Sequence, residues 1–153
     1  MNTREYAISI LDEIKEILER VDQDQCDRLV DALIAADRVF IAGAGRTRRV
    51  MEAFAIRLVH LGKSVFVVGE TNTPAITAKD LLVIGSGSGE TSTLKAIKAK
   101  AMASGSDIAV LTINPDSSLA AGSDYLVVIP GSANHLGAET KRSWQPGANS
   151  YEQ

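Results

Sequence analysis

The chain has 153 residues, a formal net charge of -3 at pH 7, an isoelectric point near 5.4, and 45% hydrophobic against 23% charged residues. That is enough chain and apolar content for one domain with its own core, and the acidic balance argues against a nucleic-acid protein carried by a basic surface. The single cysteine, Cys26, excludes an intrachain disulfide and argues against a zinc cluster, and no apolar run has the length of a signal peptide or a membrane span.

Ala7, Ile10, Leu11, Ile14, Ile17, Leu18 and Val21 recur at three- and four-residue spacings, which predicts an amphipathic helix. Its near-heptad seam favours packing on another subunit over packing on its own domain. Asp22 or Asp24 can cap a second helix, with Leu29, Val30, Leu33 and Ile34 as its apolar side, running to about Ala36. Cys26 lies near that side and reads as a packing residue, because nothing in the sequence marks its thiolate as stabilised. Residues 1–36 thus form a helical lead-in. Residues 39–42 are the first strand. Gly43-Ala44-Gly45 then turns into a helix over about 47–61, closed by Gly62. Position 48 is Arg where a dinucleotide fingerprint has its third glycine, which argues against a nicotinamide cofactor. Arg46, Arg48 and Arg49 crowd the start of this helix, where cations are unfavourable unless an anion is bound nearby. Arg46 is the one expected to face such an anion. Arg48 and Arg49 can equally fan into solvent.

Residues 64–68 form the second strand and 69–77 a polar connection interrupted by Pro74. The third strand, 80–84, runs into the stretch that organises the chain, Gly85-Ser86-Gly87-Ser88-Gly89-Glu90-Thr91. Glycines let the backbone turn and approach a ligand closely, and Ser86 and Ser88 supply hydroxyls. A helix opening at about Glu90 aims its free N–H groups and positive dipole end back at the turn. Together these describe an anion site, with phosphate as the natural occupant. The stretch has no Gly-Lys-Ser/Thr of a P-loop and no Gly-x-Ser-x-Gly elbow. The helix ends near Ser104-Gly105, a fourth strand covers 108–113, 117–121 has room for one helical turn, and a fifth strand covers 125–129. Strands alternating with helices imply a parallel sheet with right-handed crossovers and helices on both faces. Ligands in such sheets sit at the carboxyl ends of the strands, beside a switch in strand order. Both Gly-rich loops follow strands and can open there. Residues 37–130 are therefore the α/β core of a single domain spanning 1–153. Residues 131–153, rich in Gly, Ser and Asn, have the composition of a loop that covers a site.

The Gly85–Thr91 word resembles the signature of the sugar isomerase (SIS) domain. Gly43-Ala44-Gly45-Arg46-Thr47 supports this, and two further words narrow the likeness to the 6-phospho-3-hexuloisomerases: Arg57-Leu58-Val59-His60-Leu61-Gly62, and Val68-Gly69-Glu70-Thr71-Asn72-Thr73-Pro74-Ala75-Ile76. The resemblance runs from about Ile41 to the last residue. It implies a flavodoxin-like SIS fold, a five-stranded parallel sheet flanked by helices, in a cytoplasmic homo-oligomer, most simply a tetramer. It implies conversion of D-arabino-3-hexulose 6-phosphate to D-fructose 6-phosphate, a step of formaldehyde fixation, with no cofactor, metal, nucleic acid or membrane partner. Such a reaction needs a base, a polariser for the enediolate oxygen and a remote phosphate anchor. The anchor is expected in Ser86, Ser88 and Thr91 with the N–H groups of Gly87, Ser88, Gly89, Glu90 and Thr91, helped by Gly45, Arg46 and Thr47. The family's terminal Ser-Tyr-Glu-Gln word makes Glu152 the base. His60 is the candidate acid, with a packed or capping role as the alternative and His135 as rival; at a helix end it would have to serve a neighbouring subunit. Glu90 either joins the site or serves its helix's first turn. Two departures stand out. Family members read Gly-Arg-Ser-Gly where this chain reads Gly45-Arg46-Thr47-Arg48, and of the long final helix that a segment like 145–153 opens in the family only the start is expected here. A sugar-phosphate-binding module without catalysis, or an isomerase of another phosphosugar, is the competing expectation.

Overall fold

The computed structural model describes residues 1–131. Two capped helices come first. α1 (Thr3–Leu18) starts from a capping box in which the Asn2 side chain accepts from the Glu5 N–H and the Glu5 carboxylate accepts from the Asn2 N–H. α2 (Gln23–Ala35) is capped by Asp22, which accepts from the Gln25 N–H at 3.1 Å. Then follow β1 (Val39–Gly43), α3 (Gly45–His60), β2 (Val65–Val67), β3 (Leu81–Gly85), α4 (Ser92–Ala103), β4 (Asp107–Thr112) and β5 (Tyr125–Val128). Gly62 closes α3 in the left-handed conformation, φ +85°, where a side chain is strained.

All strand pairs are parallel, and the order is β2-β1-β3-β4-β5. Period-two alternation sends the two sides of each strand into different layers. Val39 and Ile41 of β1, with Leu81 and Val83 of β3, pack against Leu29, Leu33, Met51, Ala55 and Leu58 of α2 and α3. Phe40, Ala42, Leu82 and Ile84 pack on the opposite side against Leu94 and Ala101 of α4 and against Leu119. All five residues of β3 are buried, as a central strand covered on both faces must be.

The amino edge of the sheet is fastened by one buried carboxylate. Asp80, 3% exposed, accepts from Arg38 Nε at 2.8 Å and Nη2 at 2.6 Å, and from the Thr77 N–H and hydroxyl at 2.6 and 2.8 Å. Arg38 enters β1 and Asp80 enters β3, so this pair sets the starts of the two central strands side by side.

Two expectations need correction. α3 begins at Gly45 and not at 47. α4 begins at Ser92, with Thr91 as its N-cap, so Glu90 precedes the helix and contributes nothing to its first turn. The 117–121 stretch makes a single turn, its Ala121 N–H donating to the Ser117 carbonyl at 2.9 Å, and does not extend into a helix. α1 buries none of its residues against the rest of the described chain, and leaves Ile8, Leu11 and Leu18 exposed. Among the described residues no helix is long and apolar enough to cross a membrane.

Candidate active site

Strand order reverses between β1 and β3: the chain leaves β1 toward β2 on one side and leaves β3 toward β4 on the other. The carboxyl ends of these two strands therefore flank the crevice where open α/β sheets bind ligands. The strands end on glycines paired in register, Gly43 with Gly85. A Cβ on Gly85 would lie 2.6 Å from Sδ and 2.8 Å from Cγ of Met51, and 3.2 Å from Cγ2 of Thr47; one on Gly43 would lie 2.9 Å from Cα of Arg48. Only glycine at both ends lets the first turn of α3 settle onto them.

The 86–91 loop is folded by its own hydroxyls. Ser86 Oγ, buried, accepts from the Gly89 N–H at 3.2 Å and lies 3.4 Å from Thr91 Oγ1. Ser88 Oγ accepts from the Glu90 N–H at 3.2 Å. The loop's carbonyls turn the other way: Gly87 O accepts from the Ile113 N–H and the Thr112 hydroxyl, both at 3.2 Å, and Gly89 O accepts from the Leu119 N–H at 3.0 Å. Gly89 adopts φ +68°, and a Cβ there would overlap Oγ and Cβ of Ser117. Ser86, Gly87, Ser88, Gly89 and Thr91 thus lie together at the end of β3, with the 114–121 turns beneath them.

The helix starts at this edge differ from those elsewhere. α1 and α2 are capped by side chains. α3, starting beyond Ala44, and α4, starting beyond Thr91, have no side-chain cap hydrogen bond. Their first N–H groups and positive dipole ends rise on opposite faces of the sheet at the switch point, an arrangement suited to an anion between them. Gly45, in the left-handed region at φ +58°, and Arg46 are exposed at the start of α3, with Thr47 half-buried behind them.

The other charges at this edge are engaged with one another. Arg48 Nε meets Glu52 and its Nη2 meets Glu70, each at 2.7 Å, while Arg49 meets Glu52 at 2.8 Å. The Arg48 hydrogen bond, then that of Arg49, hold the Glu52 carboxyl below its ordinary value. Arg48 therefore neither fans into solvent nor lies free for a ligand; it ties the first turn of α3 to the connection after β2. Glu90 accepts from the Ser118 N–H at 2.6 Å, the Ser118 hydroxyl at 2.7 Å and Lys95 at 3.1 Å. The two Ser118 bonds and then Lys95 pull its carboxyl down to about 2. It works as a strut from the loop to the turn below.

His60 is exposed in the last turn of α3, at the opposite end of the helix from the Gly-rich turn. The described chain does not bring it to Ser86 or Arg46. Glu152 and His135 lie outside the described residues. Among the described residues no cluster of three His, Cys, Asp or Glu side chains is placed to hold a metal. Sequence reasoning missed the contacts of Ser117 and Ser118, which meet Gly89 and Glu90 from below, and of Lys98, which holds the carbonyls of Leu119 and Ala121. The signal for Lys98 was present: it shares the spacing of Leu94 and Ala101 on the apolar side of α4.

The model of the SIS domain matches residues 32–146, three quarters of the chain. The chain belongs to the SIS domain family. Among relatives of this SIS chain is the 3-hexulose-6-phosphate isomerase of Bacillus subtilis (strain 168), 37% identical over 153 residues, covering 100% of this chain and 83% of that protein. The 3-hexulose-6-phosphate isomerase of Mycobacterium gastri is 44% identical over 121 residues, 79% of this chain and 61% of that one. Among solved structures, this SIS domain is similar to a hypothetical protein of Methanococcus jannaschii, whose 2.0 Å crystal structure is described as inferring a molecular function of 3-hexulose-6-phosphate isomerase. The TM-score is 0.72 at 30% identity, covering 90% of this chain and 72% of that one.

Proposed function

We propose that this SIS domain is a 6-phospho-3-hexuloisomerase, interconverting D-arabino-3-hexulose 6-phosphate and D-fructose 6-phosphate. The observation that carries the reading is the pair of helix starts without side-chain caps, α3 and α4, flanking the Gly-Ser loop at the switch point, in a chain whose relatives bear that enzyme's name. The phosphate is held by the hydroxyls of Ser86, Ser88 and Thr91 and by backbone N–H groups of the loop, with Arg46 and Thr47 contributing from α3. Anchored there, the sugar extends so that C2 and C3 lie beyond the loop. A base removes the proton from the carbon beside the C3 carbonyl, an enediol(ate) forms, and the proton returns to C3 while the carbonyl settles at C2. Atoms and electrons balance within the sugar. Glu152 is the proposed base. His60, at the far end of α3, acts only across a subunit boundary, which ties catalysis to a homo-oligomer, most simply a tetramer. The unburied apolar stripe of α1 supports association. The single free cysteine suits a cytoplasmic enzyme.

A coupled assay tests the reading: hexulose 6-phosphate is generated enzymatically, and formation of fructose 6-phosphate is followed. Ser86→Ala and Ser88→Ala each remove a hydrogen bond to a charged group, worth about 1.5–3 kcal/mol, and should raise KM roughly 10- to 100-fold. Glu152→Gln should lower kcat by about 10²- to 10⁴-fold while sparing binding, the span of general-base catalysis. Normal turnover in Glu152→Gln would remove the base assignment. A sugar phosphate that raises the melting temperature of a chain without turnover would favour the non-catalytic binding module.

A further inference from the structure

Lys98 has no part in that chemistry, yet it is 5% exposed, on the side of α4 that faces the sheet. An ammonium group is costly to bury, and a leucine or methionine would pack here without that cost. Burial lowers its pKa, with Asp124 pulling the other way. Its Nζ donates to the carbonyls of Leu119 at 2.7 Å and Ala121 at 2.6 Å. Both belong to the turns beneath the Gly-Ser loop.

Those turns hold the Gly89–Glu90 side of the loop. The Leu119 N–H donates to Gly89 O, the Ser118 N–H and hydroxyl donate to Glu90, and Ser117 fills the space that only glycine leaves at position 89. A trans peptide unit points its C=O and its following N–H in opposite directions. Tying the Gly87 and Gly89 carbonyls down toward β4 and the turns therefore aims the Ser88 N–H to the open side of the loop, and turns the Glu90 N–H up to the Ser88 hydroxyl, to which it donates at 3.2 Å. We propose that Lys98 is a positioning residue of the phosphate site: by tethering the Leu119 and Ala121 carbonyls it seats the 117–121 turn, and the seated turn keeps the loop in the shape that presents the Ser88 N–H and hydroxyl to the anion. This rests on the phosphate-site reading of the loop.

The test compares wild type with Lys98→Met, which keeps an unbranched side chain one atom shorter and removes the donor. Leu33→Ala serves as a control, weakening the other core layer. The readouts are amide hydrogen exchange at Leu119, the affinity for fructose 6-phosphate by calorimetry, and KM against kcat. Lys98→Met should exchange the Leu119 amide at least tenfold faster than Leu33→Ala does. It should raise Kd and KM at least tenfold while kcat stays within threefold. Glu90→Gln, on the surface, loosens the same turn from its other end and should move both readouts in the same direction, which keeps the test open if Lys98→Met does not fold. Exchange at Leu119 no faster than in the control would overturn the proposal, as would faster exchange with unchanged Kd and KM. A wild-type chain with neither turnover nor fructose 6-phosphate binding would overturn the phosphate reading itself, and the exchange data would still decide whether Lys98 holds the turn.

Discussion

Replacing Gly89 with alanine should unsettle the loop through two separable terms. The backbone there is left-handed, φ +68°, which costs a residue with a Cβ about 1–2 kcal/mol. The new methyl group would also overlap Ser117, a residue 1% exposed with little room to retreat, and overpacking of this kind costs about 1–3 kcal/mol. Together the change should destabilise the fold by roughly 2–5 kcal/mol, a large share of the 5–15 kcal/mol that holds a typical domain. A double-mutant cycle separates the terms. Ser117→Gly removes both overlapping atoms, so the coupling between Gly89→Ala and Ser117→Gly should recover about 1–3 kcal/mol, the steric part, and leave the backbone part in place. Urea unfolding at constant m-value reads each corner of the cycle. A Gly89→Ala loss below about 0.5 kcal/mol, or a coupling within that margin of zero, would refute the packing of loop on turn described here.

Asp80→Ala leaves Arg38 without its buried partner, and breaking such a pair costs about 3–5 kcal/mol. It should lower the melting temperature by roughly 6–20 °C in a chain of this size, and a loss under 2 °C would count against the clamp. Burial pushes the Asp80 carboxyl up, but hydrogen bonds from Arg38 and Thr77 outweigh it and leave the group below its ordinary value. Its stabilisation is therefore whole above the unfolded value of about 3.9 and fades as pH falls through the lower folded value. Glu90, held down to about 2, has the same sign. The advantage of wild type over Glu90→Gln in urea midpoint should be constant from neutral pH to about 4.3 and shrink below it; a difference that persists unchanged at pH 2 would remove the strut. Burial, with Asp27 and Asp22 beside it, raises the Cys26 thiol, so at pH 8 it should react with Ellman's reagent several-fold more slowly than glutathione, and equal rates would contradict that setting.

Periodicity located the five strands and four helices of the described residues because those signals are local. Apolar runs such as 81–84 and the glycines after them carry their meaning within a few residues. The carboxyl-edge location of both Gly-rich loops followed from the alternation of strands and helices, but the order β2-β1-β3-β4-β5 did not, since pairing joins residues far apart in the chain. The same limit hid the turn under the loop. Its anchor, Lys98, is 21 and 23 residues from the carbonyls it holds. The stretch of Asn114, Asp116, Ser117 and Ser118 offers side-chain bonds that compete with a longer helix, and the Ser117 hydroxyl accepts the Ala120 N–H at the start of the single turn. Arg48 was legible as a departure, and its pairing with Glu52 four residues on is local, but its pairing with Glu70 was hidden, because Glu70 reaches it only when β2 lies beside β1. The start of α4 was placed two residues early because Glu90 suits a helical first turn, whereas the chain uses its carboxylate to hold Ser118.

Gly43 and Gly85 bring the start of α3 down onto two neighbouring strand ends at once, with Met51 wedged against both. The two walls of the crevice thereby become one solid piece. They cannot part like jaws without tearing side chains from a close-packed seam, so the cleft is already shaped before any ligand arrives. A preshaped cleft loses little freedom on binding, and small sugar phosphates can be captured without a costly rearrangement of the floor.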